Sequence, residues 1–295
     1  MDNKILYGDI VKKAWLEEMK EELAKFKEEN HIKCDPCLAV IQVGDNQASN
    51  KYINNKRKAC EEVGIDFKLI RLEEDTTEIG LIGHIHLLNL DNKVDGIIVQ
   101  LPLPKHIDAV RVGESINYKK DVDGFTSINV GKTLLNEDSM VSCTPLGIMK
   151  IFEHYGIELQ GKRVCVVGRS NIVGKPMTSL LINAGATVIS CNSHTVNPEL
   201  EMVASDIVIV ATGTPKKFGT KHFSSNTLIV DVGINVDDSG KLCGDVDKEA
   251  VLNYMHDMSI VPSPRGCGQT TVAALVYNTL KSYYNYFGDD KICPF

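Results

Sequence analysis

Residues 164–174, VCVVGRSNIVG, constrain the fold more than any other stretch of the chain. Val164, Cys165, Val166 and Val167 form a continuous apolar run, as expected of a parallel strand buried on both faces. The run stops at Gly168, which permits a tight turn, and Gly174 lets the following helix pack close to the strand. That helix, expected from about 174 to 184, offers free N–H groups and its positive dipole end to an anion. A second strand-like run at 186–191, ATVISC, completes a β-α-β unit. The pattern G-x-S-x-x-x-G departs from the common G-x-G-x-x-G fingerprint, so the turn by itself also fits a connection that binds nothing.

An NAD site needs an acidic residue at the end of the second strand to hold the ribose hydroxyls. Here the sequence is Asn192, Ser193, His194, Thr195. No carboxylate stands there to repel a 2′-phosphate, while Arg169, Ser193 and His194 are placed to meet one. The pattern favours NADP over NAD.

The remaining chain adds a second α/β region. With 295 residues the chain is long enough for two domains or one large α/β unit. Helix-like periodicity at 9–30 is followed by a buried-type strand at 38–43, a helix at 48–63 closed by Gly64, and a strand at 66–72. Thr76 or Thr77 caps a helix reaching residue 90, and 94–100 reads as a third strand ending in LPLP. A short helix at 108–116 closes this region, and strands separated by helices imply a parallel sheet. Thr144-Pro145 reads as an N-cap followed by proline at the first helical position, opening the second region. There, 207–211 and 228–232 are further strands, and the last helix, 271–287, is expected to pack back on the first domain.

Composition excludes several classes. A net charge of -7 gives no hint of nucleic-acid binding, and the basic run 51–58 reads as a solvated helix face. No stretch of 18 apolar residues and no apolar leader is present, so no membrane association and a cytoplasmic location are expected. Nine scattered cysteines suit reduced thiols, and Cys34-x-x-Cys37 has no partner motif, so no metal site is expected. His84 and His86 lack a partner pattern and read as surface or packing residues.

In open α/β sheets ligands bind beyond the carboxyl ends of the strands. Gln100 ends the third strand, and Tyr52 and Lys56, four apart, share a face of the helix after the first. An aromatic plane beside an amine suits a flat polar substrate, and a half-buried lysine serves acid or base steps. The same spacing also fits an ordinary solvated helix face. Asp121 and Asp123 in KDVDG are open in the same way: turn formers, or acceptors for an aminopyrimidine-like ring edge.

Tyr52-x-x-x-Lys56, VQLPLP at 99–104, KDVDG at 120–124, GRSNIVGKP at 168–176, ATGTP at 211–215, DVGIN at 231–235 and GDVD at 244–247 occur in one order. In that order the sequence resembles, over nearly its full length, the bifunctional methylenetetrahydrofolate dehydrogenase/cyclohydrolase family. The resemblance implies an N-terminal α/β folate-binding domain, a Rossmann-type NADP-binding domain, a cleft between them, and a homodimer. Its domains would be 1–142, completed by the C-terminal helix 270–295, and 143–269. It implies oxidation of 5,10-methylenetetrahydrofolate by NADP and hydrolysis of the methenyl product to 10-formyltetrahydrofolate. Carried over by position, Lys56 is the catalytic lysine, Tyr52 stacks on the folate, Gln100 orients the lysine and Asp123 holds the pterin. Leu101, Pro264 and Gly266 complete the substrate contacts. Gly168, Arg169, Ser170, Ile172, Gly174, Ser193, Thr212, Gly213, Gly233 and Ile234 are the cofactor contacts.

One loop departs from the family, which reads close to VPGGVGPMT where this chain has SPRGCGQTT at 263–271. Arg265 replaces a glycine and Gln269 a proline. Two outcomes stand open: a cation that alters folate affinity, hydride geometry or the balance of activities, or a side chain that points to solvent. The first would make the chain a folate- and NADP-binding homologue with one activity reduced or lost.

Overall fold

The computed structural model describes residues 4–287. Residues 1–3 and 288–295, the latter being the end of the stretch expected to complete the first domain, lie outside the described residues.

The chain opens with β1 (Lys4–Ile5) and α1 (Gly8–Glu29), then alternates through β2 (Cys37–Val43), α2 (Gln47–Val63), β3 (Asp66–Leu72), α3 (Glu78–Leu90) and β4 (Gly96–Val99). Three helices follow: α4 (Ala109–Glu114), α5 (Ser127–Leu134) and α6 (Cys143–His154). The second alternation is β5 (Arg163–Val167), α7 (Gly174–Asn183), β6 (Thr187–Cys191), α8 (Pro198–Val203), β7 (Ile207–Val210) and β8 (Leu228–Asp231). A small hairpin, β9 (Asn235–Val236) with β10 (Leu242–Cys243), precedes α9 (Lys248–Tyr254), β11 (Ser259–Val261) and α10 (Cys267–Phe287).

These elements form two compact units. The first comprises Lys13–Lys132, Asp138–Cys143 and the chain from Val272. Its sheet has the order β3-β2-β4, all parallel, with Val40 opposite Leu69 and Ile98. The chain leaves β2 for β3 on one side and returns to β4 on the other, so a topological switch point lies beyond the end of β2. Ala39, Ile41, Val43, Leu81, Ile85 and Ile97 share one core. Local signals decide the helix ends: Asn46 accepts from the Ser49 N–H at 3.1 Å, and Gly64, at φ 97, closes α2 in the left-handed region.

The second unit comprises the chain up to Lys12, Thr133–Glu137 and Thr144–Thr271. Its six strands run in the order β1-β11-β8-β7-β5-β6, all parallel. Alternation along β5 feeds two cores: Val164 and Val166 pack with Phe152, Met177 and Leu181, while Cys165 and Val167 pack with Val208, Ile229 and Ile260. β5 lies between β6 and β7, which puts the switch point of this sheet at Gly168.

Three local readings shift. Residues up to Lys12, grouped by sequence with the first domain, contribute β1 to the sheet of the second unit, where Ile5 pairs with Ile260. Helix α6 starts at Cys143, so Thr144 is not its cap and Pro145 lies inside the first turn, where its missing N–H removes no helical bond. Helix α10 starts at Cys267, which places Gln269 in its first turn with its N–H on the Gly266 carbonyl at 3.0 Å. No helix among the described residues is long and apolar enough to cross a membrane.

Candidate active site

In the first unit the switch point gathers ionisable side chains. Helix α2 presents Tyr52, 46% exposed, and Lys56, half-buried, on one face. The Lys56 Nζ donates to Gln100 Oε1 at 3.1 Å. Gln100 is itself held twice: its backbone N–H donates to the Ile41 carbonyl at 2.8 Å, and its Nε2 donates to the Leu101 carbonyl at 2.7 Å. The second bond turns the amide oxygen toward the lysine. Ser49 Oγ donates to the same Leu101 carbonyl at 3.4 Å. The rings of Pro102 and Pro104 make that segment stiff, and the Leu101 side chain is exposed.

The two aspartates of KDVDG diverge. Asp121 is 2% exposed and accepts five bonds, from the N–H groups of Gly124, Phe125 and Thr126, from Thr126 Oγ1 and from Asn129 Nδ2. Its capacity is consumed in shaping the 121–129 turn. Asp123 is half-buried, and its side-chain partner is the Cys143 thiol, Sγ to Oδ1 3.7 Å. Burial pushes the Asp123 carboxyl above the usual range; Lys56 pulls it down and Asp121 pushes it up. Burial and Asp123 raise the Cys143 thiol well above its ordinary value, so it stays protonated and acts as a donor. Asn278 of α10 braces the segment, its Nδ2 donating to the Val122 and Val141 carbonyls at 2.8 Å each. Lys56, Gln100, Leu101 and Asp123 thus meet in one unit, whereas Pro264, exposed, and Gly266, buried, belong to the other. Cys143 and Asn278 carry no local sequence signal, since their partners lie 20 and 156 positions away.

The second unit builds its site from backbone. Gly168 has φ +126, and a Cβ there would overlap the Ala211 carbonyl oxygen; a Cβ on Gly174 would overlap the Gly168 carbonyl. Ser170 Oγ accepts from the N–H groups of Val173 and Gly174 at 3.2 and 3.4 Å, and Arg169, Ser170 and Ile172 are exposed. The first-turn N–H groups of α7, expected to be free, are used within the turn: that of Gly174 by Ser170 Oγ and that of Lys175 by the Ser170 carbonyl at 3.1 Å, while Pro176 has none, so the helix offers an anion its dipole end and not free donors. After β6, the Asn192 N–H donates to Thr195 Oγ1 at 2.9 Å and the His194 N–H to Asn192 Oδ1 at 3.0 Å, turning the chain so that Ser193 and His194 are exposed. The donors here, an arginine, a serine and a histidine without a carboxylate at 192–195, fit a phosphorylated ribose, and the glycine turn fits a pyrophosphate. Thr212 is half-buried, Gly213 and Ile234 are exposed and Gly233 is buried.

Arg265 neither hangs free in solvent nor stands unengaged. At φ +77 it bends back, its Nε and Nη2 each 2.8 Å from Asp9 Oδ2 and its guanidinium carbon 4.2 Å from the Tyr7 ring centroid. Its carbonyl accepts from the Gly8 N–H at 2.8 Å.

Residues 6–123 match the family model for the tetrahydrofolate dehydrogenase/cyclohydrolase catalytic domain, and residues 142–287 match that for its NAD(P)-binding domain. The chain is 45% identical over 282 residues to a protein of Campylobacter hominis named bifunctional protein FolD, covering 96% of this chain and 98% of that one. A crystal structure of the bifunctional enzyme FolD from Campylobacter jejuni superposes with a TM-score of 0.91 at 43% identity, covering 96% of this chain and 99% of the other. FolD of Trypanosoma brucei, solved with NADP cofactor and an inhibitor, gives 0.90 at 32% identity, covering 97% and 99%.

Proposed function

Because the chain belongs to the tetrahydrofolate dehydrogenase/cyclohydrolase family, we propose that it catalyses both reactions: NADP-dependent oxidation of 5,10-methylenetetrahydrofolate to the methenyl compound, and hydrolysis of that compound to 10-formyltetrahydrofolate. The observation that carries the reading is the Lys56–Gln100 hydrogen bond beside Asp123, at the switch point of a unit that matches the catalytic domain of the family.

Each residue has a stated task in this reading. Tyr52, with its ring exposed four residues from Lys56, stacks on the flat pterin. Asp123 keeps lone pairs free for two N–H groups of the ring edge, and those donors together with Lys56 favour its ionised form against burial. Gln100 holds Lys56 Nζ in place, so that protons pass between the attacking water and the released ring nitrogen at one defined position. In the second step water forms a C–O bond at the methenyl carbon and gives up both its protons, one ring C–N bond opens, the released nitrogen takes one of those protons, and the other leaves to solvent as the cationic methenyl compound becomes the neutral formyl product. NADP, when bound, supplies the hydride acceptor. The residues to hold it are Gly168, Ser170, Ile172 and Gly174 at the turn, Arg169 and Ser193 toward the 2′-phosphate, and Thr212, Gly213, Gly233 and Ile234 along the neighbouring strand ends. Pro264 and Gly266 complete the substrate contacts. A homodimer working in the cytoplasm belongs to the same proposal, and light scattering on the purified protein tests the dimer.

The experiment is a coupled assay with NADP+ and NAD+ side by side. NADPH and formyl product are expected with NADP+; neither product with either nucleotide overturns the reading. Lys56→Ala is expected to lower hydrolysis of the methenyl compound by about 10²–10⁴-fold while NADPH binding persists. Normal hydrolysis by that variant removes Lys56 from the step.

A further inference from the structure

The GDVD segment at 244–247 takes no part in the site assigned above, yet its first aspartate reaches two of the loops that form it. Asp245 is fully buried. Its Oδ2 accepts from the Thr212 N–H, from Thr212 Oγ1 at 3.0 Å and from the Gly213 N–H at 3.0 Å. Its Oδ1 accepts from the Thr214 N–H at 2.9 Å and from Asn235 Nδ2 at 2.8 Å. A second buried carboxylate, Asp231, holds the holder: its Oδ1 accepts the Asp245 N–H at 2.9 Å and the Gly233 N–H at 3.2 Å, and its Oδ2 the Val246 N–H at 3.2 Å. The fit leaves no room for side chains, since a Cβ on Gly233 would overlap Asp245 Oδ1 and one on Gly244 would overlap Asp231 Oδ2.

Three consecutive N–H groups, 212 to 214, converge on one carboxylate. Such converging N–H groups otherwise make a concavity for a phosphate. Here the protein's own anion fills it, so this loop has neither donors nor potential left for the phosphates of a nucleotide. What it can present is the opposite side: Gly213, at φ +66, has nothing within 4 Å of where a Cβ would stand. An uncharged part of the nucleotide can lie flat against that open backbone.

We propose that Asp245 is a positioning residue of the nucleotide site, one carboxylate setting the shape of the 211–215 loop and its spacing from the 231–235 loop so that Gly213 and Gly233 receive the uncharged part of NADP. This rests on the reading of the second unit as the NADP site. The role requires a carboxylate and not merely a polar side chain of that size. An amide has one acceptor oxygen, and its NH2 would face N–H groups that now donate to oxygen.

The test is the affinity for NADPH, measured by titrating its fluorescence with the full-length protein, together with hydrolysis of methenyltetrahydrofolate, which consumes no nucleotide. Asp245→Asn is expected to weaken NADPH binding at least tenfold while hydrolysis stays within twofold. Asn235→Ala, which removes one of the five donors, is expected to weaken binding about three- to tenfold and serves if Asp245→Asn does not fold. Binding within twofold of the unaltered protein in the variants that fold overturns the proposal. So does a parallel fall of hydrolysis and nucleotide affinity, which marks a general structural role. If the unaltered protein binds no NADPH, the assignment of the nucleotide site falls and this inference with it; if it binds and only the variants fail to differ, this inference alone falls.

Discussion

The two units solve the same topological problem with different materials. Both place a site beyond the strand at which the connections change direction, β2 in one and β5 in the other. The first unit arms its switch point with side chains that keep hydrogen-bonding capacity: among the described residues Lys56 Nζ is bonded to Gln100 and the Asp123 carboxyl to a thiol. The second uses glycine backbone and spends its buried carboxylates internally, each satisfied by several donors. A group that acts on a substrate keeps valences free, and a group that shapes a loop has none left. Within the first unit Asp123 and Asp121 show the same contrast two residues apart.

Substitutions should therefore separate along this line. The largest loss of ligand affinity is expected at Gly168. Alanine there meets both the left-handed φ and the Ala211 carbonyl, at a cost on the order of 3 kcal/mol, and NADPH affinity should fall at least 100-fold while methenyl hydrolysis survives. Retained NADPH affinity would break the comparison. Next comes the aspartate pair. Asp121→Ala takes the acceptor from the buried Thr126 N–H and Oγ1 and from the part-buried Phe125 N–H, while Gly124 keeps the carbonyl of residue 121 and Asn129 Nδ2 keeps that of Tyr118, so it should cost about 2–3 kcal/mol in urea unfolding, with folate KM following only through lost structure. Asp123→Asn should change stability by less than about 1 kcal/mol yet raise the folate KM about tenfold or more. Interchanged outcomes would assign the roles the other way.

A smaller effect concerns pH. Asp95, buried just before β4, is pushed up to about 6, chiefly by burial and against the pull of the Cys37 N–H and of Lys120. Its carboxyl in the unfolded chain titrates near 4, so between about pH 4 and 6 the folded state binds more protons than the unfolded one. Stability should fall as pH rises through that window, by about 2–3 kcal/mol in all. Trp15, the single tryptophan, is buried in this unit and reports its urea midpoint by fluorescence. Asp95→Asn should flatten the slope; an unchanged slope places the effect elsewhere.

The smallest effect is expected at Arg265. Glycine there relieves a strained φ but gives up a half-exposed ion pair and a ring contact, terms of about 1 kcal/mol each and opposite in sign. Melting should move little and both activities should stay within about threefold. A tenfold gain in NADPH production would revive the reading in which this loop has reduced an activity. The engagement of the guanidinium by Asp9 and Tyr7 argues against it.

Local chemistry made much of this visible in advance. The run from Val164 into Gly168 and Gly174 declares a buried strand and a turn, because apolar continuity and the lack of a Cβ act within a few residues. The Thr77 cap and the Gly64 stop are equally local. Tyr52 and Lys56 share a face through helical geometry alone. What remained open depended on partners far along the chain. β1 has two residues and no pattern, and it becomes a strand by pairing with β11, more than 250 positions away. In KDVDG the donors to Asp121 lie within its own turn, three to eight positions on, whereas Asp123 meets Cys143, 20 positions away. The direction of Arg265 was undecided until Asp9 and Tyr7 stood next to it.

The sequence by itself determined the alternation of strands and helices, the strand ends that carry candidate residues, and residue types suited to a flat polar ring and to a phosphorylated ribose, because these follow from periodicity, turn chemistry and spacing within an element; the strand order that makes two of those ends switch points came from the fold. Only the tertiary structure decided which acidic groups keep free lone pairs and which are consumed. That property depends on how many donors converge on a carboxylate once the loops close, and Asp245, drawing Thr212, Thr214 and Asn235 together, has no counterpart in any local pattern.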